Sequence, residues 1–105
     1  MATDDDTPYG LGSTRWPGAS RVIEESGELA QVLGKLLGAG GATEHWDGTD
    51  LRQRLVEEIG DVRAALEFFT AANELPAAEI EQRARRKRAD CERWHRSPSA
   101  HRPGQ

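Results

Sequence analysis

One eight-residue pattern is written twice in this chain. Val22-Ile23-Glu24-Glu25-Ser26-Gly27-Glu28-Leu29 and Leu55-Val56-Glu57-Glu58-Ile59-Gly60-Asp61-Val62 agree in residue class at seven of eight positions, at one fixed offset. Leu33 and Leu36 then fall on Leu66 and Phe69. At about 100° per residue with Glu25 set to zero, Leu36, Leu29, Val22 and Leu33 lie between about 20° and about 80°, and Glu28 lies at about 300°. The second copy repeats those angles from Glu58 through Phe69, Val62, Leu55, Leu66 and Asp61. Each copy is thus an amphipathic helix with two carboxylates against the edge of its apolar stripe. A carboxylate at the margin of a core is costly unless a cation or a hydrogen-bond donor meets it. Residues three apart on a helix stand about 5–6 Å apart at Cβ, so Glu25 with Glu28, and Glu58 with Asp61, can each close on one ion. The short connection over 38–49 makes the two helices antiparallel neighbours, which lets all four carboxylates converge. Gly27 and Gly60, one inside each pair, weaken their helices by about 1 kcal/mol each relative to Ala. Glycine there is expected to give room for a second backbone or a ligand.

Around this repeat the chain reads as helix throughout. The first helix is expected over about 20–37, with Ser20 as N-cap and the glycines from Gly38 onward as its stop. The second is expected over about 51–75, with Asp50 and Gln53 as a capping-box-like pair and Leu55, Ile59, Val62, Leu66 and Phe69 at helical spacing. Pro76 opens the third, over 76–95, which is polar nearly all round apart from Ile80, Ala84, Cys91 and Trp94. No stretch alternates with period two, so the fold class is all-α. Residues 1–14 and 96–105 are rich in turn formers and read as disordered or loosely attached arms, which leaves 15–95 as one helical domain.

Apolar material is scarce. Only 36% of the 105 residues are hydrophobic, and eleven are glycine. A chain of this size and polarity usually needs a metal, a disulfide or a partner chain to complete its stability. The single cysteine, Cys91, removes the intramolecular disulfide and suits a reducing cytoplasm; it is expected to be a small buried residue. No apolar run approaches the roughly 18 residues of a membrane span, and the N-terminus is acidic where a signal peptide is basic and then apolar. The protein is therefore expected in the cytoplasm, away from membranes. Its formal charge of −4 divides unevenly: residues 83–102 hold eight basic and two acidic side chains, a net of +6 that leaves −10 for the rest. A basic helix beside carboxylate pairs suits a phosphate-bearing ligand carried with divalent cations.

Oxygen-only ligands select a hard cation, Mg²⁺ or Mn²⁺ in its place. A di-iron carboxylate bundle would use Glu-x-x-His on two helices, and only Glu92 and His95 have that spacing. Glu24-Glu25-Ser26-Gly27-Glu28-Leu29-Ala30, followed by Glu57-Glu58-Ile59-Gly60-Asp61-Val62, resembles the EExxE…ExxD signature of the MazG-like all-α nucleoside triphosphate pyrophosphohydrolases. The resemblance covers roughly 15–95. It implies an antiparallel helical bundle completed by dimerisation, as a homodimer or a dimer of dimers. It also implies Mg²⁺-dependent hydrolysis of a nucleoside triphosphate to the monophosphate and pyrophosphate. Glu25, Glu28, Glu58 and Asp61 would be the metal ligands, with Glu24 and Glu57 as supporting catalytic carboxylates that orient or deprotonate the attacking water. Lys35 matches a family lysine that faces phosphate. The spacer between the two motifs is long for the family, which is read as a longer loop.

On the third helix Arg83 and Lys87, then Arg86, are the first choices for phosphate contact. Trp46, His45 and Trp16 are candidates for stacking on a base, against an ordinary packing role. Two other classes compete. One is a non-catalytic interaction module, in which acidic helices pair with the basic helix of a neighbour. The other is nucleic-acid binding through 83–96, which the acidic remainder and the lack of interleaved aromatics argue against.

Overall fold

A computed structural model describes residues 8–44, 48 and 50–100. It contains three α-helices, α1 (Ala19–Gly38), α2 (Leu51–Ala72) and α3 (Ala77–Arg96), followed by a 3₁₀ turn at Pro98–Ala100. No strand occurs among the described residues; Glu44 and Asp50 form an isolated antiparallel bridge. The all-α class expected from the sequence is the one observed. The chain divides into two compact units, Met1–Leu75 and Pro76–Gln105.

The first unit is built on α1 and α2, which run antiparallel. Gly18, ahead of α1, lies against Phe68 and Phe69 near the end of α2. Trp16 stacks on Phe69 with ring centroids 6.1 Å apart. Stepping equally along each helix from Gly18 and Phe68 brings Glu25 opposite Asp61, and then Glu28 opposite Glu58. The core along this seam is small. Val32, Leu51 and Ala65 are the buried hydrophobic residues among those described. Val32 and Ala65 are themselves related by the offset of the motifs, so the repeat extends beyond them. Both lie at about 340° on the wheel that places the paired carboxylates at about 0° and about 300°. The seam is therefore centred on the carboxylate-bearing face. Leu33, Ile59 and Leu66, expected on the buried stripe, are exposed on its far side.

Local chemistry corrects several expected boundaries. Helix α1 starts one residue earlier than expected. Its N-cap is Gly18 with φ of +88°, and no side chain caps it, so Ser20 does not hold that role. Asp50 does cap α2, accepting from the Gln53 backbone N–H at 3.2 Å. The Gln53 side chain does not return to Asp50 and donates instead to Glu57 at 3.1 Å. Helix α2 stops at Ala72 because the Asn73 side-chain amide donates to the Phe69 and Pro17 carbonyls at 2.8 and 2.9 Å, tying the helix end to the loop before α1. Glu74 then takes φ of +54°. Pro76 precedes α3 as its N-cap and is not its first helical residue.

Residues 8–14 are anchored and do not form a loose arm. Tyr9 N–H donates to Arg15 O, Gly18 N–H to Gly10 O and Ser20 N–H to Tyr9 O, at 2.9–3.1 Å, and Gly10 is buried. Residues 1–7 and 101–105 lie outside the described residues, as do His45 and Trp46.

The second unit holds α3 and the 3₁₀ turn. Helix α3 has no buried residue. Cys91 is exposed, contrary to the expected burial, because a helix this polar on every side gathers no core around it. Lys87 and Arg93 place their cationic groups 5.4 and 5.9 Å from the centre of the Trp94 ring.

Gly18 combines a positive φ with a hypothetical Cβ only 2.8 Å from Phe68 Cδ1. Gly27 and Gly60 have nothing within 4 Å of that position. They face away from the seam, at about 200° on the wheel. Among the described residues, then, they make no room for a backbone. Gly18→Ala is expected to cost about 2 kcal/mol. Gly27→Ala is expected to raise stability by about 1 kcal/mol. Chemical denaturation of the three proteins measures both signs.

Candidate metal centre

The repeat places four carboxylates in one stretch of the seam, Glu25 and Glu28 from α1 and Glu58 and Asp61 from α2. One oxygen from each lies within 4.8 Å of the others. Glu25 and Glu58 are the inner pair, with side chains only 14% and 13% exposed, while Glu28 and Asp61 are open to solvent.

Each inner glutamate uses its two oxygens differently. Oε1 of Glu25 faces the Arg21 guanidinium at 3.7 Å, and Oε1 of Glu58 faces that of Arg54 at 3.8 Å. Oε2 of both residues is buried with no hydrogen-bond partner. A buried, unpaired carboxylate oxygen is among the most costly polar groups a fold can hold. The electrostatics agree with the geometry. Burial, then the negative charges of Glu28 and Asp61, push both inner carboxyls above the usual carboxylate range. Arg21 and Arg54 oppose the effect. Oxygen donors, net negative charge and two inward orphan oxygens are the chemistry a hard divalent cation satisfies. The residues present fit such an ion.

Comparison with protein-family models, curated proteins and solved structures finds no match. What the chain can do is therefore argued from its own residues.

The other expected site residues divide by element. Glu24 and Glu57 flank the cluster without entering it: Glu24 pairs with Arg21 at 3.5 Å, and Glu57 accepts from Gln53. Lys35 is exposed in the last turn of α1. Trp16 leaves 55% of its surface open while one ring face packs on Phe69. Phe69 lies about 12 Å along α2 from Asp61 by helical rise, so Trp16 is outside the carboxylate cluster. Arg83, Arg86 and Lys87 lie on α3, in the second unit, where all three are exposed. Trp46 and His45 are outside the described residues.

Two residues escaped the sequence reading. Arg21 and Arg54 stand at the same offset as the motifs, one position before each octet begins. Extending the comparison by a single residue would have exposed them.

Because their folded-state values are raised, Glu25 and Glu58 contribute stability that is present below the ordinary carboxyl value of 4.5 and lost as pH rises through the raised one. In chelator at pH 7.5, Glu58→Gln is expected to melt above the wild type. That advantage is expected to shrink toward pH 4. Adding Mg²⁺ is expected to reverse the order, because only the wild type keeps the full donor set. Thermal melts over pH, with and without the ion, measure all three effects.

Proposed function

We propose that this chain is a Mg²⁺-dependent nucleotide pyrophosphohydrolase, with Mn²⁺ as a substitute, acting on a standard or modified nucleoside triphosphate. The observation that carries it is the convergence of Glu25, Glu28, Glu58 and Asp61 around two buried, unpartnered oxygens. The likeness of the two motifs to the MazG-like family supports the choice of reaction. A divalent cation held there supplies charge neutralisation for a polyphosphate and lowers the pKa of water. Hydrolysis adds one water across the α–β phosphoanhydride. The bridging oxygen keeps the bonding pair as pyrophosphate leaves, and the monophosphate takes the hydroxyl.

The chain's own residues take the remaining roles. Glu24 and Glu57, exposed beside the ligands, orient the water or accept its proton. Lys35 offers a cationic group to the phosphates, and Arg83, Arg86 and Lys87 carry the same chemistry on α3 of the second unit. Trp46 with His45, or Trp16, supplies a stacking surface for the base. No helix among the described residues is long and apolar enough to cross a membrane. With a single cysteine in the chain, the cytoplasm is the proposed compartment.

A homodimer or a dimer of dimers is part of the same proposal. Ile23, Leu33 and Leu37 of α1 and Val56, Ile59 and Leu66 of α2 are exposed. All fall between about 80° and about 160° on the wheel, on the side away from Glu28 and Asp61. An apolar face of this kind, beside a core as small as Val32, Leu51 and Ala65 among the described residues, calls for cover.

The decisive experiment incubates the protein and Glu58→Ala with Mg²⁺ and a panel of ribo- and deoxyribonucleoside triphosphates, and measures pyrophosphate. Release by the wild type is expected for at least one nucleotide, with a loss of a hundredfold or more in the variant. No release from any nucleotide, or equal release by both proteins, would refute the assignment. Sedimentation is expected to give a dimer or a tetramer for the wild type. Ile23→Lys with Val56→Lys, at equivalent positions of the repeat, is expected to shift it toward monomer.

A further inference from the structure

Helix α3 carries one spacing from end to end. Ala77, Ile80, Ala84, Lys87, Cys91 and Trp94 follow one another at alternating steps of three and four, the a and d positions of a heptad. With Ile80 set to zero they lie between about 320° and about 60° on the wheel. No residue of this helix is buried. Ile80 is 45% exposed, and Ala77, Ala84, Lys87 and Cys91 are open to solvent. Charge lines both edges of the stripe. Glu81 and Arg88 stand on one edge, at about 100° and about 80°, and Arg83 and Asp90 on the other, at about 300° and about 280°.

These edges select an occupant. We propose that the α3 stripe pairs antiparallel with α3 of a second copy of this chain. In the register that sets Ile80 against the partner's Cys91, Ala77 meets the partner's Trp94 and Ala84 meets the partner's Lys87. Each layer thus sets a small residue against a larger one. The same register brings Glu81 to the partner's Arg88 and Arg83 to the partner's Asp90, opposite charges on both edges. Two-fold symmetry makes every contact occur twice. A parallel pair in register would instead set Arg83 against the partner's Arg88, like charge on like.

Within α3 each of the two acids already holds one arginine, Arg85 on Glu81 at 3.3 Å and Arg93 on Asp90 at 3.1 Å. The second copy adds another to each. Lys87 lies mid-seam, with its ammonium 5.4 Å from the centre of the Trp94 ring. Its stem covers apolar surface while its charge stays at the rim, and a single polar residue in such a seam fixes the register. This pairing goes beyond the proposed reaction and does not depend on it. It is also separate from the apolar face of α1 and α2, and the two interfaces together would build the dimer of dimers.

Cross-linking of the full chain tests orientation and register. In the antiparallel pair the two copies of Cys91 stand about 16 Å apart along the axis. A bismaleimide shorter than that separation is expected to leave the wild type uncoupled and to join Ile80→Cys to the partner's Cys91. Adding Arg88→Glu to Ile80→Cys should lower the cross-linked yield on the order of tenfold, and adding Glu81→Arg as well should restore it. Because Ile80→Cys thins the seam, sedimentation of proteins with no cysteine change is the second measurement. Arg88→Glu should halve the mass found for the wild type, and Glu81→Arg with Arg88→Glu should recover it. Coupling of the wild type through Cys91 overturns the antiparallel pair. So does an uncoupled Ile80→Cys together with a mass unmoved by Arg88→Glu, or no recovery in the charge-swapped protein. Each of these results leaves the cation site and the α1–α2 face standing.

Discussion

Everything in the first unit is arranged around negative charge placed where two helices touch. A helical hairpin ordinarily fills its seam with leucine and sends its acids to solvent. Here the stretch between Gly18 and Leu51 sets Glu25 and Glu28 against Asp61 and Glu58, and the inner two glutamates are largely shielded from water. Such a seam repels itself unless positive charge enters it. Arg21 and Arg54 supply part of that charge from the cluster's own helices, and the orphan oxygens of Glu25 and Glu58 mark where more is required. Folding does not favour this arrangement for its own sake, because a row of apolar side chains would close the same seam at lower cost.

The cost of the seam accounts for the devices at its two ends. At the open end Trp16 stacks on Phe69, and Asn73 ties the end of α2 to Pro17. Gly18 admits Phe68 where a side chain would collide. At the closed end Leu51, fully buried, donates its N–H to Thr43 O at 2.7 Å, and Asp50 caps the helix that follows. These fixed ends hold the middle of the hairpin in register. Pre-organisation of this kind lets a cluster of like charges keep its geometry against its own repulsion.

The helices and the convergence of the four carboxylates were legible in the sequence, because both follow from the helical period and from an offset shared by two motifs. Where the seam is centred was legible only in part. Large apolar residues place it on the stripe of Leu36, Leu29, Val22 and Leu33 with Phe69, Val62, Leu55 and Leu66; of these Leu33 and Leu66 are exposed and the others half-buried. The observed seam runs through Val32 and Ala65, at about 340° on the wheel. A hydrophobic stripe fixes the apolar side of a helix, but with only one partner helix it does not fix which flank of that side is covered. The ordered loop over 8–18 was also hidden. Its turn-forming composition resembles that of a disordered arm, and its backbone hydrogen bonds to residues 15–20 leave no periodic trace.

Gly27 and Gly60 show how a motif position can be read correctly for its presence and wrongly for its purpose. Each sits between the two clustered carboxylates of its helix in sequence. At about 200° per two residues, each points out of the hairpin on the far side from those carboxylates. No described residue occupies the space beside them. Nothing described within the chain therefore offsets their cost to the helix, and a reason for keeping them has to come from outside it. The proposed dimer offers one. Ile23 and Val56 are exposed. They lie at about 160° on the wheel, so the glycines border the apolar face proposed to meet a second copy. A missing side chain on that border lowers the rim of the face and allows closer approach, which a side chain at the same place would block.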